Sequence, residues 1–175
     1  MNDSFTSTTS WLLLHVFVTN TARMKVSDII TPSRIEVRLS FQSKDELLRY
    51  LPEILARNGD LEDIDEVRKV IQRRESLMST GIGQGIALPH GKSNSIHHTT
   101  AALVTLRDPL DFDSLDGDPI QLAVILVGKE DQVSTHLKLL SKISRIVASD
   151  WFKHEALAAE TPEQIHALLE RADSL

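Results

Sequence analysis

Hydrophobic and polar positions switch between two periods along this chain, and the switches mark its elements. Ile35, Val37, Leu39 and Phe41 interleave with polar residues at a spacing of two, which predicts a strand with one buried face. Ser43-Lys44-Asp45-Glu46 forms a capping box that opens a helix through about Arg57, and Asn58-Gly59 ends it. Pro52 inside that helix is expected to kink it or split off its first turns, since proline has no N–H to give. A second helix is predicted from about Leu61 to Met78, with Ile64, Val67, Val70, Ile71, Leu77 and Met78 on its apolar face. Ile86, Ala87 and Leu88 read as a short buried strand whose pairing should stop at Pro89. A further strand passes through Ala101, Leu103 and Leu106. Asp108 to Asp118 reads as a turn-rich connection with two Asp-Pro steps, and Ile120 to Val127 has the length of a central strand. A long amphipathic helix covers Asp131 to Ala148, and a shorter one starts near Asp150. Thr161-Pro162-Glu163-Gln164 opens the last helix with a capping box and proline at its first position. The sum is an α/β fold: a mixed β-sheet of about five strands, flanked by helices on both faces.

Composition narrows the function. A chain of 175 residues fits one domain with a full core. Its net charge of −6 supplies no basic excess to neutralise phosphates, which argues against a nucleic-acid binder. It has no cysteine, which excludes disulfides, thiolate catalysis and thiolate-bound metal, and fits a reducing compartment. No apolar run is long enough to span a bilayer, so no membrane insertion is expected. Trp11 to Val18 is apolar, but residues 2–10 contain no Lys or Arg and His15 interrupts the run, so it does not read as a signal peptide. Residues 1–23 read as an extension outside the domain, which spans 24–175 and begins naturally at Met24-Lys25-Val26-Ser27. The rival reading is an ordered apolar arm packed on the domain or on a second subunit.

The chemistry concentrates around Gly81-Ile82-Gly83-Gln84-Gly85-Ile86-Ala87-Leu88-Pro89-His90-Gly91. Glycines permit a close, unusual backbone approach, and the short strand delivers His90 to its end, where open α/β sheets place their sites. His136 shares an apolar helix stripe with Leu139, Leu140 and Ile143, so it points inward near the positive end of its helix. Arg74 continues the stripe of Val70 and Ile71, and its planar fork suits a phosphate or carboxylate. Two inward histidines, one inward arginine and a glycine-rich strand end make a kit for handling a phosphoryl group. One imidazole is the nucleophile, and the other two groups stabilise the transferring oxygens. Blander readings stand beside this one. His136 can be a satisfied core residue and Arg74 half of a structural ion pair, while His97 and His98 decorate a loop and His154 and His166 sit on helix surfaces. A metal site from His90, His97 or His98, and His136 fits by ligand type. No Asp or Glu stands at a recognised metal spacing, so phosphotransfer is preferred and no metal ligand is assigned.

The stretch Arg74 to Lys92, RESLMSTGIGQGIALPHGK, closely resembles the active-site segment of the fructose/mannitol-type enzyme IIA components of the bacterial phosphoenolpyruvate-dependent phosphotransferase system. That family includes the nitrogen-regulatory enzyme IIA proteins, and the resemblance runs from about Met24 to the C-terminus. It implies that His90 accepts a phosphoryl group through Nε2 from a histidine-containing phosphocarrier protein. His136, in Ser134-Thr135-His136-Leu137, matches the second active-site histidine, and Arg74 matches the active-site arginine. Gln84 takes a position where some members place a polar residue near the site, and Gly91 adjoins the phosphorylated histidine. The implied partners are that carrier and either an enzyme IIB domain or a regulatory target. The implied location is the cytoplasm, with no cofactor required because phosphohistidine already carries the transfer energy. A free-standing enzyme IIA with this motif looks most like the nitrogen-regulatory branch. The alternatives are a sugar-specific enzyme IIA for fructose or mannitol uptake and a binding module that keeps the fold without transfer.

Overall fold

The computed structural model describes residues 24–175, so the extension proposed at 1–23 lies outside the described residues. A short helix α1 (Val26–Ile29) and a 3-10 turn (Pro32–Arg34) lead into β1 (Ile35–Leu39). Then come α2 (Lys44–Arg57), α3 (Ile64–Leu77), β2 (Gly81–Gly83), β3 (Ile86–Ala87), β4 (His90–Lys92) and β5 (Thr100–Leu110). The chain finishes with β6 (Ile120–Gly128), α4 (Val133–Val147), α5 (Asp150–Ala158) and α6 (Pro162–Asp173). The sheet is mixed, as expected, with six strands instead of about five. Its order is β1-β5-β6-β3-β2, with β4 also paired to β6. β1 lies parallel to β5, β5 antiparallel to β6, and β3 and β4 both parallel to β6.

Strand β6 shows why this sheet needs helices on both faces. Leu122, Val124 and Leu126 pack under α1, α4, α5 and α6, while Ala123, Ile125 and Val127 pack under α2 and α3. A strand buried on both sides reads as a continuous apolar run, which is the pattern of residues 120–127.

Helix α2 runs unbroken from Lys44 to Arg57 with Pro52 inside it, so the first turns are not split off. An interior proline costs about 3 kcal/mol. Leu47, Leu48, Leu51, Ile54 and Leu55 are all buried in this helix, and each contributes about 1.5–3 kcal/mol, so the apolar face wins. Helix α3 begins at Ile64, after the predicted start near Leu61, because Asp63 accepts from the Asp65 and Glu66 amides and so sets the N-cap. The Thr161–Gln164 capping box forms in both directions, as read. Strand β5 extends through Leu110, past the Asp108-Pro109 step assigned to a turn. Its register shifts between Thr105 and Leu110, which leaves the proline free of a ladder bond.

Candidate active site

Glycines shape the approach to His90. β2 and β3 form a tight antiparallel hairpin, and its two turn residues, Gln84 (φ 57) and Gly85 (φ 78), both hold positive φ. That is the requirement of a two-residue hairpin turn matched to strand twist. The Asp116 carboxylate accepts from the Gln84 amide at 2.7 Å and steadies the turn.

Pro89 interrupts the next ladder without ending it. Its carbonyl still accepts from the Leu126 amide at 3.0 Å, and pairing resumes at once, His90 opposite Leu126. The expectation that pairing stops at Pro89 is therefore corrected, since proline lacks a donor but keeps its acceptor. His90 opens β4. Gly91 lies between it and Lys92, and a Cβ at Gly91 would sit 2.4 Å from Val70 Cγ1. Glycine there lets α3, the helix carrying Arg74, close onto the strand.

Three groups meet at His90. Its Nδ1 lies 2.8 Å from the Leu88 carbonyl oxygen, which can only accept, so the proton sits on Nδ1 and Nε2 keeps its lone pair. Arg74 Nε donates to His90 Nε2 at 3.3 Å, and Arg74 Nη1 donates to the Met78 carbonyl at 2.9 Å. The His136 ring centroid stands 6.0 Å from that of His90, at an interplanar angle of 44°. His136 is 4% exposed on the first turn of α4, and its Nδ1 has no partner among the described residues. Gly128 makes room for it, because a Cβ there would lie 2.4 Å from His136 Nδ1.

Both histidines are neutral near pH 7. Burial, helped by the Arg74 cation, holds His90 below the ordinary histidine value in spite of its bond to the Leu88 carbonyl. Burial first, then repulsion from a protonated His90 and from the Lys92 cation, pushes His136 down to about 4. An unprotonated His90 Nε2 is a nucleophile without any preliminary proton loss.

The two rings open onto a cavity of about 710 Å³ whose lining includes Arg73, Arg74, Lys92 and Glu130. A second hollow of about 480 Å³ adjoins His90 on the side of Ile82, Leu88 and Leu115. Leu77, Met78, Leu115 and Leu137 stand exposed around the two, an apolar rim on an otherwise charged surface.

His90, His136, Arg74 and Gly91 are thus brought together. Gln84 is not: it is exposed at the hairpin tip and lines neither hollow beside His90. Leu77 and Met78, expected on the buried stripe of α3, are 77% and 61% exposed. The helix stops at Leu77 and the chain turns extended at Met78, so the stripe leaves the core one turn early. Arg74 is consequently half-buried, and Glu75 takes the buried position beside it. His97 and His98 pair with Glu62 and Asp60, away from the two facing rings. His154 is exposed as expected, whereas His166 is half-buried with Nε2 3.0 Å from the Ser27 carbonyl oxygen. Lys92, read as the start of a polar loop at 92–98 beside His90, belongs to β4 and lines the cavity of about 710 Å³. Two positions after His90 on one strand, it projects to the same face, a signal present in the sequence.

The same architecture occurs in the nitrogen regulatory protein IIA-Ntr of Neisseria meningitidis. It superposes with a TM-score of 0.76 at 30% identity, covering 82% of this chain and 98% of that one. The nitrogen regulatory protein of Klebsiella oxytoca is 30% identical over 158 residues, 90% of this chain and 97% of its own length. The fructose-specific EIIABC component of Bacillus subtilis (strain 168) is 31% identical over 150 residues, 86% of this chain but 24% of that longer protein. Residues 28–172 match the family described as phosphoenolpyruvate-dependent sugar phosphotransferase system, EIIA 2, and the chain belongs to that family.

Proposed function

We propose that this enzyme IIA domain is a phosphoryl carrier whose acceptor atom is His90 Nε2. The observation that carries the reading is the pair of bonds on one ring: Nδ1–H to the Leu88 carbonyl, and Nε2 turned toward Arg74. The donor is a phosphohistidine on a histidine-containing phosphocarrier protein. The Nε2 lone pair forms the new N–P bond as the donor's N–P bond breaks, and the released electron pair returns to the donor ring, which leaves as a neutral imidazole. His90 keeps its Nδ1 proton, so the phosphorylated ring is cationic and the Leu88 oxygen faces the charge. Arg74 exchanges its contact with Nε2 for the phosphoryl oxygens. His136, with Nδ1 packed against Gly128, has Nε2–H left to donate to them.

The apolar rim of Leu77, Met78, Leu115 and Leu137 is the docking face for donor and acceptor in turn, the acceptor being an enzyme IIB domain or a regulatory target. The nitrogen-regulatory branch is supported by relatives of that name matched over nearly their whole length. The cytoplasm, where such carriers work, is the assigned location. Among the described residues no helix is long and apolar enough to cross a membrane.

Intact mass after incubation with phosphoenolpyruvate, enzyme I and the carrier protein tests this reading. One acid-labile phosphate, about 80 mass units of phosphoryl on histidine, is expected on wild type and not on His90→Ala. Labelled His90→Ala protein, or an unlabelled wild type beside charged donor, overturns it.

A further inference from the structure

Resting on the phosphoryl-carrier reading, we infer that Glu75 is a positioning residue for His90 and Arg74, holding both through the Met78–Thr80 segment. Glu75 is a carboxylate buried at 8% exposure, and transfer chemistry makes no use of it. It follows Arg74 in the last turn of α3, but the two side chains diverge. Arg74 turns to the cavity, and Glu75 turns into the protein, where it accepts from the Thr80 amide at 3.0 Å and from the Thr80 hydroxyl.

Two lines of contact run from that anchor to the reacting nitrogen. The Thr80 carbonyl accepts from the Leu88 amide at 2.9 Å, and the Leu88 carbonyl holds the Nδ1 proton of His90 at 2.8 Å. That bond fixes the tautomer and so leaves Nε2 as the nucleophile. On the other side, Met78, two residues before Thr80, presents the carbonyl that holds Arg74 Nη1. The segment between α3 and β2 thus carries the support for both groups, and Glu75 is its only carboxylate anchor among the described residues.

Lys44 completes the arrangement. Its Nζ lies 2.8 Å from Glu75 Oε1 and donates to the Phe112 carbonyl at 2.9 Å, so the buried carboxylate is neutralised and tied to the start of α2. Burial works against the Lys44 ammonium, but its bonds to Glu75 and Asp113 hold it above the ordinary lysine value. A buried carboxylate that serves packing alone is weakly favoured at best, since its desolvation offsets much of the pairing. A carboxylate that takes both the amide and the hydroxyl of Thr80, in the segment that supports His90 and Arg74, points to alignment.

The test combines rapid-quench transfer from charged carrier with long-range proton–nitrogen NMR of the His90 ring, on wild type, Glu75→Ala, Glu75→Gln and Thr80→Val. Loss of alignment by about 1 Å costs up to a hundredfold in rate. Glu75→Ala should therefore transfer about tenfold to a hundredfold more slowly at saturating donor, with the KM for donor unchanged within about twofold. Its His90 ring should show a mixture of Nδ1–H and Nε2–H forms where wild type shows Nδ1–H. Glu75→Gln, whose amide oxygen still accepts from Thr80, should recover most of the rate and the single tautomer. If Glu75→Ala does not fold, Thr80→Val decides: a several-fold slower step with unchanged KM supports the inference, and a wild-type rate overturns it. Wild-type rate and tautomer in a folded Glu75→Ala also overturn it. A wild type that takes no phosphate on His90 removes the carrier reading itself, a distinct outcome.

Discussion

Gly128→Ala is the most economical perturbation of the proposed site, because it removes none of the site's side chains. Gly128 ends β6 opposite Lys92 and is not among the positive-φ glycines, so alanine meets no backbone strain there. The added methyl would instead lie 2.4 Å from His136 Nδ1 and 3.0 Å from its Cγ. An ordinary contact needs at least 3.4 Å, so the imidazole must give way by about 1 Å. Such a displacement of a group proposed to hold the transferring oxygens costs up to about a hundredfold in rate, equivalent to about 2.7 kcal/mol. Overpacking lowers stability by about 1–3 kcal/mol, which leaves the domain folded. Rapid-quench transfer at saturating carrier reads the rate, and a thermal melt confirms the fold. The same substitution in a His136→Ala background isolates the mechanism: it should have little further effect, because the displaced ring is already gone. A wild-type rate for Gly128→Ala, or an equal loss in both backgrounds, would refute the reasoning.

Three further outcomes are expected. Because the folded His136 value lies near 4 and the unfolded value near 6.5, the folded state binds fewer protons between them, so stability is full above about pH 6.5 and declines as pH falls toward 4. Chemical denaturation of wild type and His136→Ala across that range should show the extra acid sensitivity in wild type alone. Leu137→Asp, at an exposed rim position, should raise the KM for donor about tenfold and leave the circular dichroism spectrum unchanged. Asp173 has a buried carboxylate that takes Lys142 Nζ at 2.6 Å and the Ser27 amide at 2.8 Å, tying α6 and α4 to the start of the domain. Its replacement by Ala should lower stability by about 3 kcal/mol in a thermal or urea melt and leave His90 phosphorylation intact at low temperature.

Legibility from sequence followed the reach of local signals. Thr161 and Ser43 announced their helices because a cap is a contact over three or four residues. β6 announced itself because burial on both faces leaves an uninterrupted apolar run. His136 was readable as inward because helix periodicity fixes its face, and no tertiary detail was needed. β3 was readable as a short apolar run, but its hairpin with β2 was not: a three-residue strand of Gly81–Gly83 displays no period, and positive φ at Gln84 is no property of glutamine. Glu75 was hidden for a different reason. Its partners Lys44 and Thr80 come from α2 and the segment before β2, so its burial depends on three elements meeting. Leu77 and Met78 looked like core by spacing, and only the end of α3 shows that the stripe has left the interior.

The central claim is that His90 Nε2 receives the phosphoryl group. Long-range proton–nitrogen NMR of the ¹⁵N-histidine-labelled protein, recorded after charging with phosphoenolpyruvate, enzyme I and carrier, tests it directly. A new nitrogen–phosphorus coupling at Nε2 of residue 90, with Nδ1 still protonated and His136 neutral, is the predicted result. Coupling at Nδ1 of His90, or at either nitrogen of His136, would contradict it.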